Sequence, residues 1–258
     1  MPKAKIASLT KERAERQRIT SLTAYDFPTA KILDESGVDI ILVGDSMGNV
    51  VLGYKDTLPV TVADIVHHTK AVRAGVANAL LVADVPLTAF KNGHDEALKN
   101  VRLIIEAGAD AVKIEGVEHK KVIKQLVDGG ISVMGHIGYT PQTSDKIGGA
   151  TIKGKTYESC AVLMEQAAQL EGAGVFAIVV ELVDREASSM ITASLRIPTI
   201  GIGSGPFCDG QVLVLHDMIG MYQGKTPKYV KKYCDVSALI RNAVLEYCED
   251  VRGNVYPS

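Results

Sequence analysis

Residues 35–45 read ESGVDIILVGD, and this stretch contains the unit that decides the fold. A helical segment ends in a small residue and glycine, a short turn follows, and an apolar run leads directly into an acid. Glycine suits the left-handed position that closes a helix. An unbroken apolar run suits a strand buried on both faces, as in a parallel sheet. The same plan returns in EAGADAVKIEG (106–116) and EGAGVFAIVVE (171–181).

Similar apolar runs continue along the chain, and amphipathic segments separate most of them. They cover residues 19–24, 39–44, 79–84, 111–116, 132–137, 176–181, 198–203 and 211–216. Strand followed by helix, repeated eight times, predicts a (β/α)8 barrel, and an open doubly wound sheet is the alternative. The join between the last two runs is the weakest, because residues 204–210 are too few for a regular helix.

The chain has 258 residues, 47% of them hydrophobic, which suits one barrel domain over residues 1–258. We expect an N-terminal helical segment at about 9–17 and a C-terminal helix at about 227–251. A net charge of -2 argues against a nucleic-acid partner. No apolar run approaches the roughly 18 residues of a membrane span, and the N-terminal segment lacks the centre of a secretion signal. We therefore expect a cytoplasmic protein without a membrane partner.

The four cysteines are scattered and form no C-x-x-C pair. This spacing argues against a zinc knuckle or a redox dithiol, so we interpret them as ordinary thiols.

Acids stand where barrel enzymes carry their chemistry, at the C-terminal ends of the strands. Four carboxylates crowded at one barrel mouth would repel one another, and burying each costs several kcal/mol unless a cation compensates. Oxygen ligands suit Mg²⁺ or Mn²⁺ better than Zn²⁺. Taken singly, each acid is equally typical of a helix cap or a surface loop. The four acids at predicted strand ends are Asp45, Asp84, Glu115 and Glu181.

Four other features accompany these acids. Lys113 precedes Glu115 by two residues, so both side chains point to the same side of their strand. His136, at another strand end, is either a hydrogen-bonded structural residue or an accessory site residue. The glycine-rich turn at 197–205 is either a phosphate site or a close-packed turn. The long polar segment at 139–160 is typical of a lid or binding loop.

Motifs along nearly the whole chain resemble one enzyme family, ketopantoate hydroxymethyltransferase. They are LTAYD (22–26), LVGDS (42–46), VTVADIVHHTKAV (60–72), ADVP (83–86), VKIEG (112–116), GHIGYTPQ (135–142), IPTIGIGSG (197–205) and DGQVLV (209–214). Singly these motifs are weak, and together they are specific. The chain departs from the family pattern at several loop positions, among them Tyr139, Asp184 and Ser204.

The resemblance implies a (β/α)8 barrel related to the phosphoenolpyruvate mutase and isocitrate lyase barrels. It implies that Asp45, Asp84 and Glu115 bind Mg²⁺ or another divalent cation. It also implies that Asp45, Ser46, Asp84 and Lys113 hold the 2-oxo acid and that Glu181 is the catalytic base.

The reaction implied is transfer of a hydroxymethyl group from the co-substrate 5,10-methylenetetrahydrofolate to 3-methyl-2-oxobutanoate. The product would be 2-dehydropantoate (ketopantoate), on the route to pantothenate, and members commonly form homodecamers.

Three rival functions remain at this point. A carbon–carbon lyase of the phosphoenolpyruvate mutase type would carry a loop cysteine, and residues 115–138 contain none. A phosphate-binding synthase would place its anion near four acids, which would repel it. A catalytically inactive barrel would have no need of the acids and Lys113 together.

Overall fold

A computed structural model describes residues 2–146, 150–222, 224 and 226–257. The chain divides into two compact units, Met1–Val212 and Leu213–Ser258. The single barrel domain expected over the whole chain stays a prediction. Within the described ranges, no helix is both long enough and apolar enough to cross a membrane.

Eight parallel strands form a closed barrel in sequence order, each paired with the next along the chain. This confirms the barrel and excludes the open doubly wound sheet. Residues 203–209, all described, contain no helix between the last two strands. The strands are β1 (Ile19–Thr23), β2 (Ile40–Val43), β3 (Leu80–Asp84), β4 (Ala111–Glu115), β5 (Val133–Gly138), β6 (Ala177–Glu181), β7 (Thr199–Ile202) and β8 (Gly210–Leu213).

Ten α-helices lie in the described ranges, most of them between strands. They are α1 (Pro2–Ala14), α2 (Phe27–Glu35), α3 (Met47–Val50), α4 (Val62–Arg73), α5 (His94–Glu106), α6 (Lys120–Asp128), α7 (Tyr157–Ala173), α8 (Arg185–Ser194), α9 (Leu215–Met218) and α10 (Val236–Arg252).

Local sequence signals explain several helix ends. Thr61 and Asp64 form a reciprocal capping box at the start of α4, and Thr156 and Ser159 form another at α7. Gly174 closes α7 in the left-handed conformation at φ 92°, as the repeated glycine predicts. The two terminal helices start at other positions than expected. Helix α1 begins near the N-terminus rather than at about 9, and α10 begins after Asp235, whose side chain accepts a hydrogen bond from the backbone N–H of Ala238.

Alternate strand residues point into the barrel, and their lower layers form an apolar core. Leu9 of α1 belongs to the same cluster, so α1 closes the N-terminal end of the barrel. The buried cluster comprises Leu9, Ile19, Ile40, Leu42, Leu80, Val82, Ala111, Met134, Ala177, Val179, Ile200 and Val212. Each large apolar side chain buried in this way stabilises the fold by roughly 1.5–3 kcal/mol.

The same alternation decides which side chains reach the other end of the barrel. On β3, Val82 points into the barrel, and so does Asp84 two residues later. On β6, Val179 points inward, and so does Glu181 two residues later. On β4 the inward positions after Ala111 are Lys113 and Glu115. The inward side chains are therefore apolar near the strand starts and ionisable at the strand ends.

Acids also stand just before several strands, at the N-terminal end of the barrel, and they have a different environment. Each accepts a hydrogen bond from the backbone N–H of a residue at the start of a neighbouring strand, which ties adjacent strands together. The pairs are Thr20 with Asp39 (2.7 Å), Leu81 with Asp110 (3.0 Å) and Thr199 with Asp209 (2.9 Å).

Candidate active site

The strand register brings the predicted acids and bases side by side at the C-terminal mouth. Asp84 is the direct partner of Lys113 across β3 and β4, and Glu115 is the partner of His136 across β4 and β5. The Lys113 ammonium lies 3.0 Å from Oδ1 of Asp84 and 3.8 Å from Oε1 of Glu115. All four side chains are at most 6% exposed. A buried cation therefore sits between two buried carboxylates.

Asp45 joins this cluster from the loop after β2. Its backbone N–H donates to Oδ2 of Asp84 at 2.9 Å. Its own Oδ2 accepts from the side-chain amide of Gln142 at 2.9 Å. The acid that ends the opening stretch ESGVDIILVGD thus belongs to the same carboxylate group as Asp84 and Glu115.

His136 lies between Glu115 and Glu181. Its Nδ1 is 3.3 Å from Oε1 of Glu115, and its Nε2 is 3.2 Å from Oε2 of Glu181. The second contact is an ion pair when the ring is protonated. The imidazole links the acids of β4 to the acid of β6.

Close backbone packing fixes the position of Glu181. The backbone N–H of Tyr139 donates to the carbonyl of Glu181 at 2.8 Å. Gly138 has φ 97°, and a Cβ there would lie 2.2 Å from that carbonyl oxygen, so only glycine fits. On the other side, Leu182 has φ 47°, an uncommon conformation for a branched residue. Backbone hydrogen bonds from Leu182 to Ile202 and from Lys153 to Leu182 hold this turn.

Ser204 supports the same turn from the segment after β7. Its buried hydroxyl donates to the carbonyl of Val180 at 2.7 Å and accepts from the N–H of Val183 at 2.9 Å. These two residues flank the Glu181–Leu182 pair. Asp184 has a separate role, since its side chain accepts from the N–H of Glu186 and caps α8. The two departures from the family pattern therefore have local structural functions.

Ser46 begins the short helix α3 beside Asp45. Its hydroxyl shares a 2.8 Å hydrogen bond with the phenol of Tyr25. The backbone carbonyl of Tyr25 lies 2.6 Å from Nδ1 of His68, so a helix α4 side chain holds this segment. The structure thus places a pair of hydroxyl groups next to the carboxylate cluster.

Charge interactions shift the pKa values of the cluster in different directions. Burial, and then the charges of Asp84 and Glu115, raise the pKa of the Asp45 carboxyl well above its usual value. Burial would also raise the pKa of Glu115, but His136 and Lys113 outweigh it and hold that pKa low. Lys113 has a raised pKa, because three nearby carboxylates outweigh its burial.

His136 follows the same logic. Burial and the charge of Lys113 oppose its protonation, yet Glu115 and Glu181 raise its pKa to about 9. The imidazolium is therefore the form present at neutral pH. The mouth carries two internal cations, Lys113 and His136, against four carboxylates.

The donors suit a divalent cation chemically. Asp45, Asp84 and Glu115 are three buried carboxyl groups that offer oxygen ligands, and burial and the charges of Asp84 and Glu115 raise the pKa of Asp45. Within the described ranges, no three His, Cys, Asp or Glu side chains are arranged to hold a metal ion as they stand. Lys113 already occupies the space between Asp84 and Glu115. Metal binding would require these side chains to rearrange.

Two residues that touch the predicted site were not assigned to it from the sequence. Gln142 contacts Asp45 and Glu115, and Tyr25 contacts Ser46. Both lie within the motifs GHIGYTPQ and LTAYD, but an amide and a phenol do not stand out as strand-end acids do. Gln142 belongs to the segment expected to be a lid or binding loop, of which positions 147–149 lie outside the described residues.

Comparison with solved structures defines the class. Phosphonopyruvate hydrolase has a TM-score of 0.64 and 13% identity, covering 97% of this chain and 88% of that one. The structure of 2,3-dimethylmalate lyase, a phosphoenolpyruvate mutase/isocitrate lyase superfamily member, has a TM-score of 0.60 and 14% identity, covering 97% and 98%. The protein thus shares the (β/α)8 barrel fold of these two structures.

The sequence comparisons define the family within that class. The sequence model of ketopantoate hydroxymethyltransferase matches residues 3–258. The 3-methyl-2-oxobutanoate hydroxymethyltransferase of Acetivibrio thermocellus is 49% identical over 98% of this chain and 90% of its own length. The enzyme of that name from Pyrobaculum neutrophilum is 48% identical over 100% of this chain and 98% of its own length. The chain belongs to the ketopantoate hydroxymethyltransferase family of enzymes.

Proposed function

We propose that this enzyme transfers a hydroxymethyl group from 5,10-methylenetetrahydrofolate to 3-methyl-2-oxobutanoate, giving 2-dehydropantoate for pantothenate biosynthesis. Family membership supports the reaction. The observation that carries the mechanism is the continuous line of ionisable groups from Asp45 to Glu181, all of them buried except the partly exposed Glu181. Such a line combines fixed charge for an anionic substrate with a carboxylate that can take a proton.

Asp45, Asp84 and Glu115 would hold a divalent cation, for which Mg²⁺ is the first candidate. When bound, this ion supplies Lewis-acid polarisation of a 2-oxo acid. The phosphonopyruvate hydrolase of similar fold was solved with oxalate and Mg²⁺, and oxalate resembles the oxygen pair of a 2-oxo acid. This parallel supports the choice of metal.

Lys113 and Ser46 would position the 2-oxo acid. The Lys113 ammonium lies 3.0 Å from Asp84 and 3.8 Å from Glu115, so it would supply positive charge to an anionic substrate beside these acids. The Ser46 hydroxyl, which Tyr25 orients, would donate a hydrogen bond to the same acid. Asp45 and Asp84 would face the substrate from the adjacent strands.

Glu181 would act as the base. It takes the C3 proton of 3-methyl-2-oxobutanoate and leaves the electron pair in the enolate. The C3 carbon then bonds to the one-carbon unit of the folate, and water supplies the hydroxyl group as tetrahydrofolate leaves. Nε2 of His136 lies 3.2 Å from Oε2 of Glu181, so the ring would orient this carboxylate.

Proton exchange tests this proposal before any folate is added. Proton NMR of 3-methyl-2-oxobutanoate in D₂O should show loss of the C3 proton signal, dependent on Mg²⁺. The Glu181→Gln variant should keep substrate binding and lose exchange by about 10²–10⁴-fold. Glu186→Gln, an exposed acid on α8, is the matched control and should exchange normally.

Two outcomes would count against the proposal. Undiminished exchange in Glu181→Gln would remove Glu181 as the base. If the unaltered protein shows no exchange, methylenetetrahydrofolate is added and 2-dehydropantoate is sought. Its absence would rule out the proposed reaction. The cytoplasmic location and the homo-oligomer, a decamer by resemblance, stay predictions.

A further inference from the structure

Ile202 is the last residue of β7 and lies beside the proposed base at the barrel mouth. We propose that its side chain forms the apolar wall that receives the methyl groups on C3 of the 2-oxo acid, and that it thereby limits the size of the alkyl group that the enzyme accepts. This inference rests on the proposed function, since it concerns the same substrate. It assigns substrate specificity to an apolar residue beside the charged groups.

The strand register places Ile202 next to Glu181. The two residues are direct partners across β6 and β7. Neighbouring strands lie about 4.8 Å apart, and paired residues of parallel strands point to the same face of the sheet. Glu181 points into the barrel, where it contacts His136, so the side chain of Ile202 also points inward. The backbone N–H of Leu182 donates to the carbonyl of Ile202 at 2.9 Å, which holds the two strand ends together.

Alternation along β7 leads to the same orientation. Ile200, two residues earlier, is 1% exposed and belongs to the apolar core of the barrel. Ile202 packs against that core and is only partly buried. Because its side chain points inward from the end of a strand, the exposed part faces the mouth. Ile202 therefore presents apolar surface to the space that the ionisable side chains surround.

The order of strands around the barrel relates this surface to the substrate. Asp84 on β3 and Lys113 on β4 are assigned to the oxygens of the 2-oxo acid, and Glu181 on β6 is assigned to its C3 proton. Strand β7 follows β6 in the closed barrel. The methyl groups are bonded to C3, so a substrate that brings C3 to Glu181 brings its methyl groups to the neighbouring strand end. Ile202 offers the apolar contact that these groups need.

A plainer interpretation is that Ile202 only completes the core. The two roles differ in what a shortened side chain changes. Loss of core packing reduces the amount or stability of folded protein, so it lowers the rates for all 2-oxo acids by the same factor. Loss of a wall beside C3 changes the relative rates for acids that differ in alkyl size. One methylene in an apolar pocket typically changes such relative rates by about 10–200-fold.

C3 proton exchange in D₂O with Mg²⁺ separates the two roles. The probes are 3-methyl-2-oxobutanoate and 3-methyl-2-oxopentanoate, which has one more methylene. The ratio of kcat/KM for the larger acid to that for the smaller acid should rise about 10-fold in Ile202→Ala and by less in Ile202→Val. Ile200→Val is the matched control, because it shortens the same side chain within the core, and it should leave the ratio unchanged.

Thermal melting of each variant shows how much folding stability it has lost. The inference predicts a raised ratio in both Ile202 variants, whatever their melting temperatures. An unchanged ratio in Ile202→Ala would overturn it, and so would an equal rise in Ile200→Val. If the unaltered protein exchanges neither acid and forms no 2-dehydropantoate with methylenetetrahydrofolate, the proposed function is overturned, and the inference with it.

Discussion

Asp34 and Asp45 are both 5% exposed, yet their surroundings give them opposite character. Asp34, in α2, accepts hydrogen bonds from the backbone N–H groups of Ala77, Asn78 and Ala79 and from the Asn78 amide. These bonds outweigh burial and lower its pKa. Asp45 faces two other carboxylates, and its pKa is raised. Low exposure alone therefore does not identify a functional acid.

The acids at the two ends of the barrel differ in the same way. At the N-terminal end, acids accept backbone N–H groups and tie neighbouring strands together. At the C-terminal mouth, four acids face one another around two cationic side chains, Lys113 and His136. The first arrangement stabilises the fold, and the second stores unfavourable charge that a ligand can relieve.

The largest effect is expected at Asp34. Asp34→Ala leaves three backbone N–H groups without their acceptor, which should lower the free energy of unfolding by about 2–4 kcal/mol. Urea denaturation measures this change. Glu35→Ala, which removes only an exposed ion pair with Lys31, should change stability by less than about 0.5 kcal/mol. Equal losses in the two variants would contradict the role assigned to the Asp34 bonds.

The pH dependence of the stability of the metal-free protein tests the charge interactions at the C-terminal mouth. His136 has a pKa of 6.5 when unfolded and about 9 when folded, so its stabilising contribution is present below pH 6.5. That contribution is lost as the pH rises through about 9, and it amounts to a few kcal/mol.

Unfolding measured from pH 6 to pH 10 should therefore show falling stability. The decline should be smaller in His136→Asn and unchanged in His94→Asn, where the replaced histidine is exposed. If stability declines equally in His136→Asn and in the unaltered protein, the decline arises from another titrating group.

The smallest expected effect is a gain in stability rather than a loss. Asp45→Asn removes one charge that repels Asp84 and Glu115, and its side-chain oxygen can still accept from Gln142. We expect the metal-free variant to gain about 1 kcal/mol, or roughly 2–4 °C in melting temperature, while losing activity. Asp34→Asn should instead lose stability. If both substitutions destabilise the protein, the contrast between the two acids is wrong.

Much of the fold could be predicted because its signals are local. Each buried strand is a short apolar run, and seven of the eight predicted runs match the bounds of an observed strand within one residue at each end; the eighth, predicted at 211–216, is observed at Gly210–Leu213. The acids were found for the same reason, since they end those runs. Alternation along β4 put Lys113 and Glu115 on one side, and the structure brings them within 3.8 Å of each other.

Gln142 and Tyr25 show what local signals cannot supply. Gln142 is 97 residues from Asp45 along the chain, and no periodicity relates the two. The start of α1 and of α10 also depends on contacts and caps outside the apolar pattern. The left-handed backbone of Leu182, a branched residue, goes against its local preference and is held by neighbouring segments.

The sequence by itself determined the eight-stranded barrel and the set of acids at its mouth, because apolar runs and their ends are properties of consecutive residues. Only the tertiary structure decided which acids are surrounded by hydrogen-bond donors and which are surrounded by other carboxylates. Asp34 and Asp45 are the same residue type at equal exposure, and the donors around Asp34 come from residues 77–79 while the charges around Asp45 come from Asp84 and Glu115. A carboxyl group takes its pKa from neighbours in space, and folding chooses those neighbours.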